Sequence, residues 1–202
     1  VGGGNMGGSL IQGLLKQGYP SQHLRVADPN QAVLSPYRYQ GVQCDSDPST
    51  LCAGSDAIIL AVKPQIMPQV LASLNGAIQE NQLIISVAAG ITIEYLQQQT
   101  HAGQAVVRAM PNTPALIGAG ITGLCASSSV APEQRQITEQ IMGAVGETLW
   151  IEQESLMDAV TAVSGSGPAY FFLMLEALSA AATAQGLPQE QAQQLALSTG
   201  LG

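Results

Sequence analysis

The chain has 202 residues, 46% hydrophobic and 10% charged, enough for one full domain with an apolar core and part of a second. Six Lys plus Arg against fourteen Asp plus Glu give a formal charge of −8 and leave no basic face for a phosphate backbone, which argues against nucleic acid as a partner. Cys44, Cys52 and Cys125 lack CxxC spacing, and His23 and His101 are far apart in sequence. Neither a metal site nor a disulfide framework is expected, and the thiols read as free and buried in a reducing cytoplasm.

Along the chain, a helical pattern over residues 6–17 follows a glycine-rich opening. Short apolar runs at 24–27, 56–62, 83–87 and 105–109 read as strands covered on both faces, as in a parallel sheet. Helical spacing over 65–77 and 93–99 separates them, and this alternation predicts a Rossmann-like, doubly wound α/β fold. A strand at 121–126, a helix at 132–145 and a strand at 147–151 could extend the same sheet. From Glu154 onward only helices are expected, at 155–163, 168–185 and 189–198. Gly186-Leu187-Pro188 stops one helix and starts the next.

The expected organisation is therefore a dinucleotide-binding domain over 1–152 and an all-α domain over 153–202, the latter incomplete. The stretch 168–184 falls at the short limit of about 17 residues for a bilayer span. With Glu176 in its middle and many alanines, it reads as a buried interface helix. No secretory signal opens the chain. Val1-Gly2 stands where several residues of a first strand would normally precede the glycine turn, and Gly200-Leu201-Gly202 carries no evident cap or tail. The chain thus reads as a fragment of a longer protein.

Gly2, Gly4 and Gly7 form G-x-G-x-x-G within GGGNMG, directly before a helix and upstream of Asp28 at the end of the next strand. The spacing supplies a tight turn, close backbone approach to a pyrophosphate and close helix packing, with the phosphates on the helix N-terminus. Asp28 leans toward NAD, because a carboxylate there binds ribose hydroxyls and repels the extra phosphate of NADP. Asn30 and Arg38 nearby could receive that phosphate, and Asp28-Pro29-Asn30 also fits a plain turn. Lys63 follows an apolar strand ahead of Pro64, so this loop should lie at the carboxyl edge of the sheet, where open α/β folds bind ligands. A surface lysine is the alternative. Ala88, Ala89 and Gly90 end the following strand with small side chains that leave room for a nicotinamide ring, or simply form a small-residue turn.

Five stretches, in order and spacing, resemble the Δ1-pyrroline-5-carboxylate reductase family: GGGNMG, AVKPQ at 61–65, SVAAGIT at 86–92, RAMPNTPALIGAG at 108–120 and DAVTAVSGSGPAYFF at 158–172. The resemblance covers essentially the whole chain, and PNTP and SGSGPAY are its distinctive parts. It implies a nucleotide-binding domain, a helical domain that dimerises by intertwining, and hydride transfer from NADPH or NADH to a cyclic imine, giving L-proline. It places Gly4, Asn5 and Met6 at the pyrophosphate, and Ala61, Val62, Lys63 and Pro64 at the adenosine side and linking ribose. Ala88 to Gly90 fall at the nicotinamide half, with Asn112 and Thr113 adding polar groups there. Ser164, Gly165, Ser166 and Gly167, ahead of Pro168, would present free N–H groups at a helix start to the substrate carboxylate. The same stretch also fits a compact turn between helices, and Asn112 fits a turn residue bonding its own backbone. The family's carboxylate-binding loop and proposed proton donor would lie beyond Gly202.

Two rival readings remain at this level. A β-hydroxyacid dehydrogenase would carry a catalytic lysine four residues after Gly167 and an asparagine four residues later, but this chain has Phe171 and Leu175 there. A non-catalytic dinucleotide-binding or dimerising protein is compatible with the alanine-rich stretch 177–184, which would let helices approach closely.

Overall fold

The computed structural model describes residues 1–201; Gly202, the last residue of the expected helical region, lies outside them. The first half alternates strands and helices: α1 (Asn5–Lys16), β1 (Arg25–Ala27), α2 (Gln31–Tyr39), β2 (Gln43–Asp45), α3 (Ser49–Cys52), β3 (Ala57–Leu60), α4 (Met67–Ser73), β4 (Leu83–Ser86), α5 (Ile93–Gln99) and β5 (Ala105–Met110). β6 (Gly120–Ala126), α6 (Pro132–Met142) and β7 (Gly146–Trp150) follow. The chain then becomes helical, with α7 (Met157–Val160), α8 (Gly167–Ala184) and α9 (Gln189–Leu201).

The strands form two parallel-dominated groups, β1–β2 and β3–β4–β5–β6–β7. Val1 and Gly2 bridge them: Ala61 N donates to Val1 O at 2.8 Å, and Gly2 N donates to Ala27 O at 2.8 Å. Below the bridge lies an apolar slot whose lining includes Leu10, Leu14, Val26, Leu51 and Ile58. β3, β4 and β5 run parallel, as their apolar runs predict, and β6 and β7 extend the same sheet. β6, however, runs antiparallel to β5. The connection over 111–119 is too short for a parallel crossover, which needs a dozen or more residues, so the chain turns back on itself.

β4 shows why the strands read so clearly. Leu83 and Ile85 point to one face and Ile84 to the other, and all three are fully buried. On one side Ile84 joins Leu60, Val106, Met67, Leu71, Leu96 and Met157. On the other, Leu83 and Ile85 meet Val107, Leu124, Leu10 and Met142. Each such side chain contributes about 1.5–3 kcal/mol by leaving water, so one charged substitution at Ile84 would disrupt the centre of the sheet.

Two expectations need correcting. The sequence pattern assigns no helix or strand between residues 28 and 55, yet this stretch contains α2, β2 and α3. β2 is three residues long and only partly buried, so it presents no apolar run, while α2 carries Pro36 in its interior. The helix expected over 155–163 is also irregular: a 3-10 turn at Glu154–Leu156 leads into α7, and a π-turn at Thr161–Gly165 joins α7 to α8. The Gly186 stop holds, with φ +101° just after α8, and α9 begins directly after Pro188.

α8 packs along α9 and buries little else of itself: only Gly167 is buried, while Tyr170, Phe171, Phe172 and Leu173 are all at least 60% exposed. Among the described residues no helix is long and apolar enough to cross a membrane.

Candidate active site

The glycine turn is fixed by contacts that exclude any side chain. Gly2 has φ +92°, and a Cβ there would stand 2.5 Å from Ala61 O; a Cβ on Gly7 would stand 2.0 Å from Gly2 O. These two positions hold α1 tightly against the turn. Gly4 differs, because a Cβ there would meet nothing within 4 Å. Gly4 is also the N-cap of α1, which has neither a side-chain cap nor an acid in its first turn. The backbone N–H groups of Asn5 and Met6 therefore open α1 toward clear space at the positive end of its dipole. A pyrophosphate fits this arrangement in charge, donors and room.

Asp28 stands beside this turn. Its Oδ2 accepts from Gly3 N at 3.0 Å and its Oδ1 from Asn30 N at 2.9 Å. Asn30 caps α2 by accepting from Ala32 N. Tyr37, buried on α2, donates its hydroxyl to Gly3 O at 3.0 Å, so both the N–H and the carbonyl of Gly3 are held from β1 and α2. Burial pushes the Tyr37 phenol up from its ordinary value, and the neighbouring Asp28 and Cys44 add to this.

The remaining segments line the same carboxyl edge. Ala61, Val62, Lys63 and Pro64 follow β3; Lys63 is exposed and makes no ion pair among the described residues. Ala88, Ala89 and Gly90 follow β4, with Gly90 at φ +75° and the last two residues open to solvent. Asn112 and Thr113 follow β5. Asn112 Oδ1 accepts from Ile121 N at 3.0 Å, which fixes the P-N-T-P turn against β6, while Thr113 is exposed.

The SGSG stretch lies differently from expectation. Ser164 and Gly165 belong to the π-turn, and Ser166 N donates to Thr161 O at 2.8 Å, so that N–H is not free at a helix start. Ser164 Oγ donates back to Val160 O at 2.9 Å. The extra residue in the turn absorbs donors that a helix beginning at Pro168 would have left open. A Cβ on Gly165 would touch Met110 Cε at 2.9 Å, so this turn packs against the end of β5, next to Pro111 and Asn112. The two segments expected near substrate are thus neighbours.

Sequence reasoning missed Tyr37 and the cluster around Arg108. Arg108 Nη1 meets Glu154 Oε1 at 3.1 Å and its Nη2 meets Asp158 Oδ1 at 3.7 Å, while Glu154 Oε1 also accepts from Ile93 N at 2.9 Å. Arg108 opens the RAMPNTP stretch, and a cation in an otherwise apolar strand is a signal that a buried partner exists.

Residues 154–202 match the family model for pyrroline-5-carboxylate reductase dimerisation, and residues 1–90 match that for NADP oxidoreductase, coenzyme F420-dependent. The pyrroline-5-carboxylate reductase of Pasteurella multocida is 40% identical over 206 aligned residues, spanning all of this chain and 75% of that protein. The chain belongs to the pyrroline-5-carboxylate reductase family. The Haemophilus influenzae member is 41% identical, with 74% of its length covered. The solved reductase from Coxiella burnetii superposes with a TM-score of 0.95 at 37% identity, over 100% of this chain and 75% of that one. The Plasmodium falciparum reductase, solved with NADP bound, gives a TM-score of 0.85 at 30% identity, over 98% of this chain and 73% of that one.

Proposed function

We propose that the protein reduces Δ1-pyrroline-5-carboxylate to L-proline with NADPH or NADH, the last step of proline biosynthesis. The observation that carries this reading is the uncapped, unobstructed start of α1 at Gly4, on a chain alike along its whole length to reductases of this name. Gly2, Gly4, Asn5 and Met6 hold the pyrophosphate and Asp28 the adenosine ribose. Ala61, Val62, Lys63 and Pro64 line the groove, and Ala88, Ala89, Gly90, Asn112 and Thr113 flank the nicotinamide. When bound, the dinucleotide supplies the hydride.

The chain's own part is placement. Protonation of the ring nitrogen makes the imine carbon electrophilic, and a site that holds this carbon near the hydride and keeps water out needs no covalent nucleophile. Ser164, Gly165, Ser166, Gly167 and Asn112 orient the substrate on the side where the π-turn meets β5. A second copy of the chain covers the exposed apolar face of α8, in line with the dimerisation model matched there. Free thiols at Cys44, Cys52 and Cys125 are compatible with a reducing cytoplasm. The division at residue 152 places cofactor binding before it and pairing of subunits after it.

The test is oxidation of NADPH and NADH in the presence of Δ1-pyrroline-5-carboxylate, followed by the loss of cofactor absorbance, with the native protein and the 202-residue chain side by side. Formation of proline by the native protein is expected. A folded native protein that binds cofactor but turns over no imine would remove the substrate assignment.

A further inference from the structure

Building on the dinucleotide site proposed above, we infer that Tyr37 is a positioning residue for the cofactor: from α2 it turns the Gly4 N–H toward the pyrophosphate. Two successive peptide groups of the glycine turn are held from different elements. Asp28, just after β1, accepts from Gly3 N at 3.0 Å and so fixes the Gly2–Gly3 peptide. Tyr37 donates its hydroxyl to Gly3 O at 3.0 Å and so fixes the next one, Gly3–Gly4. That peptide is trans and planar, with its C=O and N–H pointing in opposite directions. A carbonyl anchored on a buried phenol therefore sends the Gly4 N–H the other way, out of the fold. Among the described residues nothing accepts from Gly4 N, and Gly4 is exposed. It joins the N–H groups of Asn5 and Met6 as a third donor in the clear space before α1.

The phenol reaches Gly3 because two glycines make way for it. A Cβ on Gly8, directly after the last glycine of the motif, would stand 2.5 Å from the Tyr37 hydroxyl. One on Gly3 would stand 3.3 Å from Tyr37 Cε2 and 2.9 Å from Val33 Cγ1. Gly8, which the G-x-G-x-x-G spacing leaves without a role, thus clears the path for a hydrogen bond from another helix. The turn also depends on that bond. With glycine on both sides, the Gly3–Gly4 peptide has no Cβ to restrict it, so without Tyr37 it rotates and part of the population loses the donor.

Dinucleotide titrations of the native protein, well below its melting temperature, test this without turnover. Tyr37→Phe should raise the Kd of NADH, NADPH and ADP-ribose by the same factor, about threefold to tenfold, the worth of one neutral hydrogen bond in the free turn. All three ligands carry the pyrophosphate, so an equal loss locates the effect there. Val42→Ala, which trims the apolar cluster around Tyr37 and leaves its hydroxyl in place, should lower the Tm and leave each Kd unchanged. That contrast separates aiming a donor from stabilising α2. Gly8→Ala should push the phenol aside and weaken binding by a similar factor, and it carries the same test if Tyr37→Phe does not fold. Adding Tyr37→Phe to Gly8→Ala should weaken binding no further, because both remove the same bond. Unchanged affinity in folded Tyr37→Phe, unequal factors for NADH and NADPH, an equal rise in Kd in Val42→Ala, or an additive loss in the double variant would each overturn the inference. Failure of the unsubstituted protein to bind either dinucleotide would instead remove the site itself, and the inference with it.

Discussion

Arg108 and Glu154 meet across the seam between the sheet and the helices, 3.1 Å apart, with Arg108 only 7% exposed in the middle of β5. Glu154 also holds the N–H of Ile93 at the start of α5, just after the Ala88–Gly90 loop. One carboxylate thus ties together the central strand, the loop beside the proposed nicotinamide position and the entry to the helical region. Glu154→Ala would leave the guanidinium with only the exposed Asp158, 3.7 Å away. Breaking a buried pair costs about 3–5 kcal/mol, and the partial exposure of Glu154 reduces the expected loss to about 2 kcal/mol. Urea unfolding should show it as a lower midpoint, with Glu154→Gln intermediate. An unchanged midpoint in both variants would show that the pair contributes no stability.

Gly4 and Gly7 lie in the same motif but should respond oppositely to alanine. At Gly7 the added methyl would collide with Gly2 O, so Gly7→Ala should lower the Tm and abolish cofactor binding together. At Gly4 the methyl enters open space, so Gly4→Ala should keep the Tm within a degree or two while weakening dinucleotide binding by about tenfold or more. Calorimetry and titration on the same samples separate the two effects. Equal Tm losses would mean that the space above Gly4 serves the fold and not a ligand.

Tyr37→Phe removes the hydrogen bond to Gly3 O and should cost about 1 kcal/mol. The raised phenol pKa has a defined pH consequence. Burial favours the neutral form, so its contribution is fully present below the unfolded value near pH ~10 and is lost as pH rises through the higher folded value. Alkaline unfolding should therefore be less steep in the phenylalanine variant. Identical alkaline limbs in the two proteins would contradict the assignment.

Burial pushes up the thiols of Cys44, Cys52 and Cys125. A disulfide reagent at mildly alkaline pH should label the native protein slowly, with the partly exposed Cys44 first, and should find all three thiols at once in denaturant. Fast stoichiometric labelling of native Cys52 or Cys125 would show that the core opens on the labelling timescale.

What the sequence disclosed follows from how each element meets water. β4 was legible because Leu83 to Ile85 are covered on both faces, and nothing polar interrupts the run. β2 was not, because Gln43 and Asp45 flank the only apolar side chain of an edge strand. The direction of β6 is not written in its apolar residues, but the short connection before it carried the answer. The glycine turn was legible because its steric demands act on neighbouring residues, whereas the support from Tyr37 comes from a side chain 34 positions away on a helix the pattern concealed. Pro168 suggested a helix start, yet the chain was already coiled there, since a wide turn leaves no mark in composition.

That wide turn also sets an angle. Each residue of an α-helix advances the chain by about 100° around its axis, and the π-turn at Thr161–Gly165 accommodates one residue more than a regular turn would. Deleting a single residue within it should leave α8 intact and nearly the same distance from the sheet, but swung around its own axis, so that Tyr170, Phe171 and their neighbours face a new direction. The length of this segment acts as a rotational setting, and a change of one residue there would re-aim an entire subunit surface without altering any side chain on it.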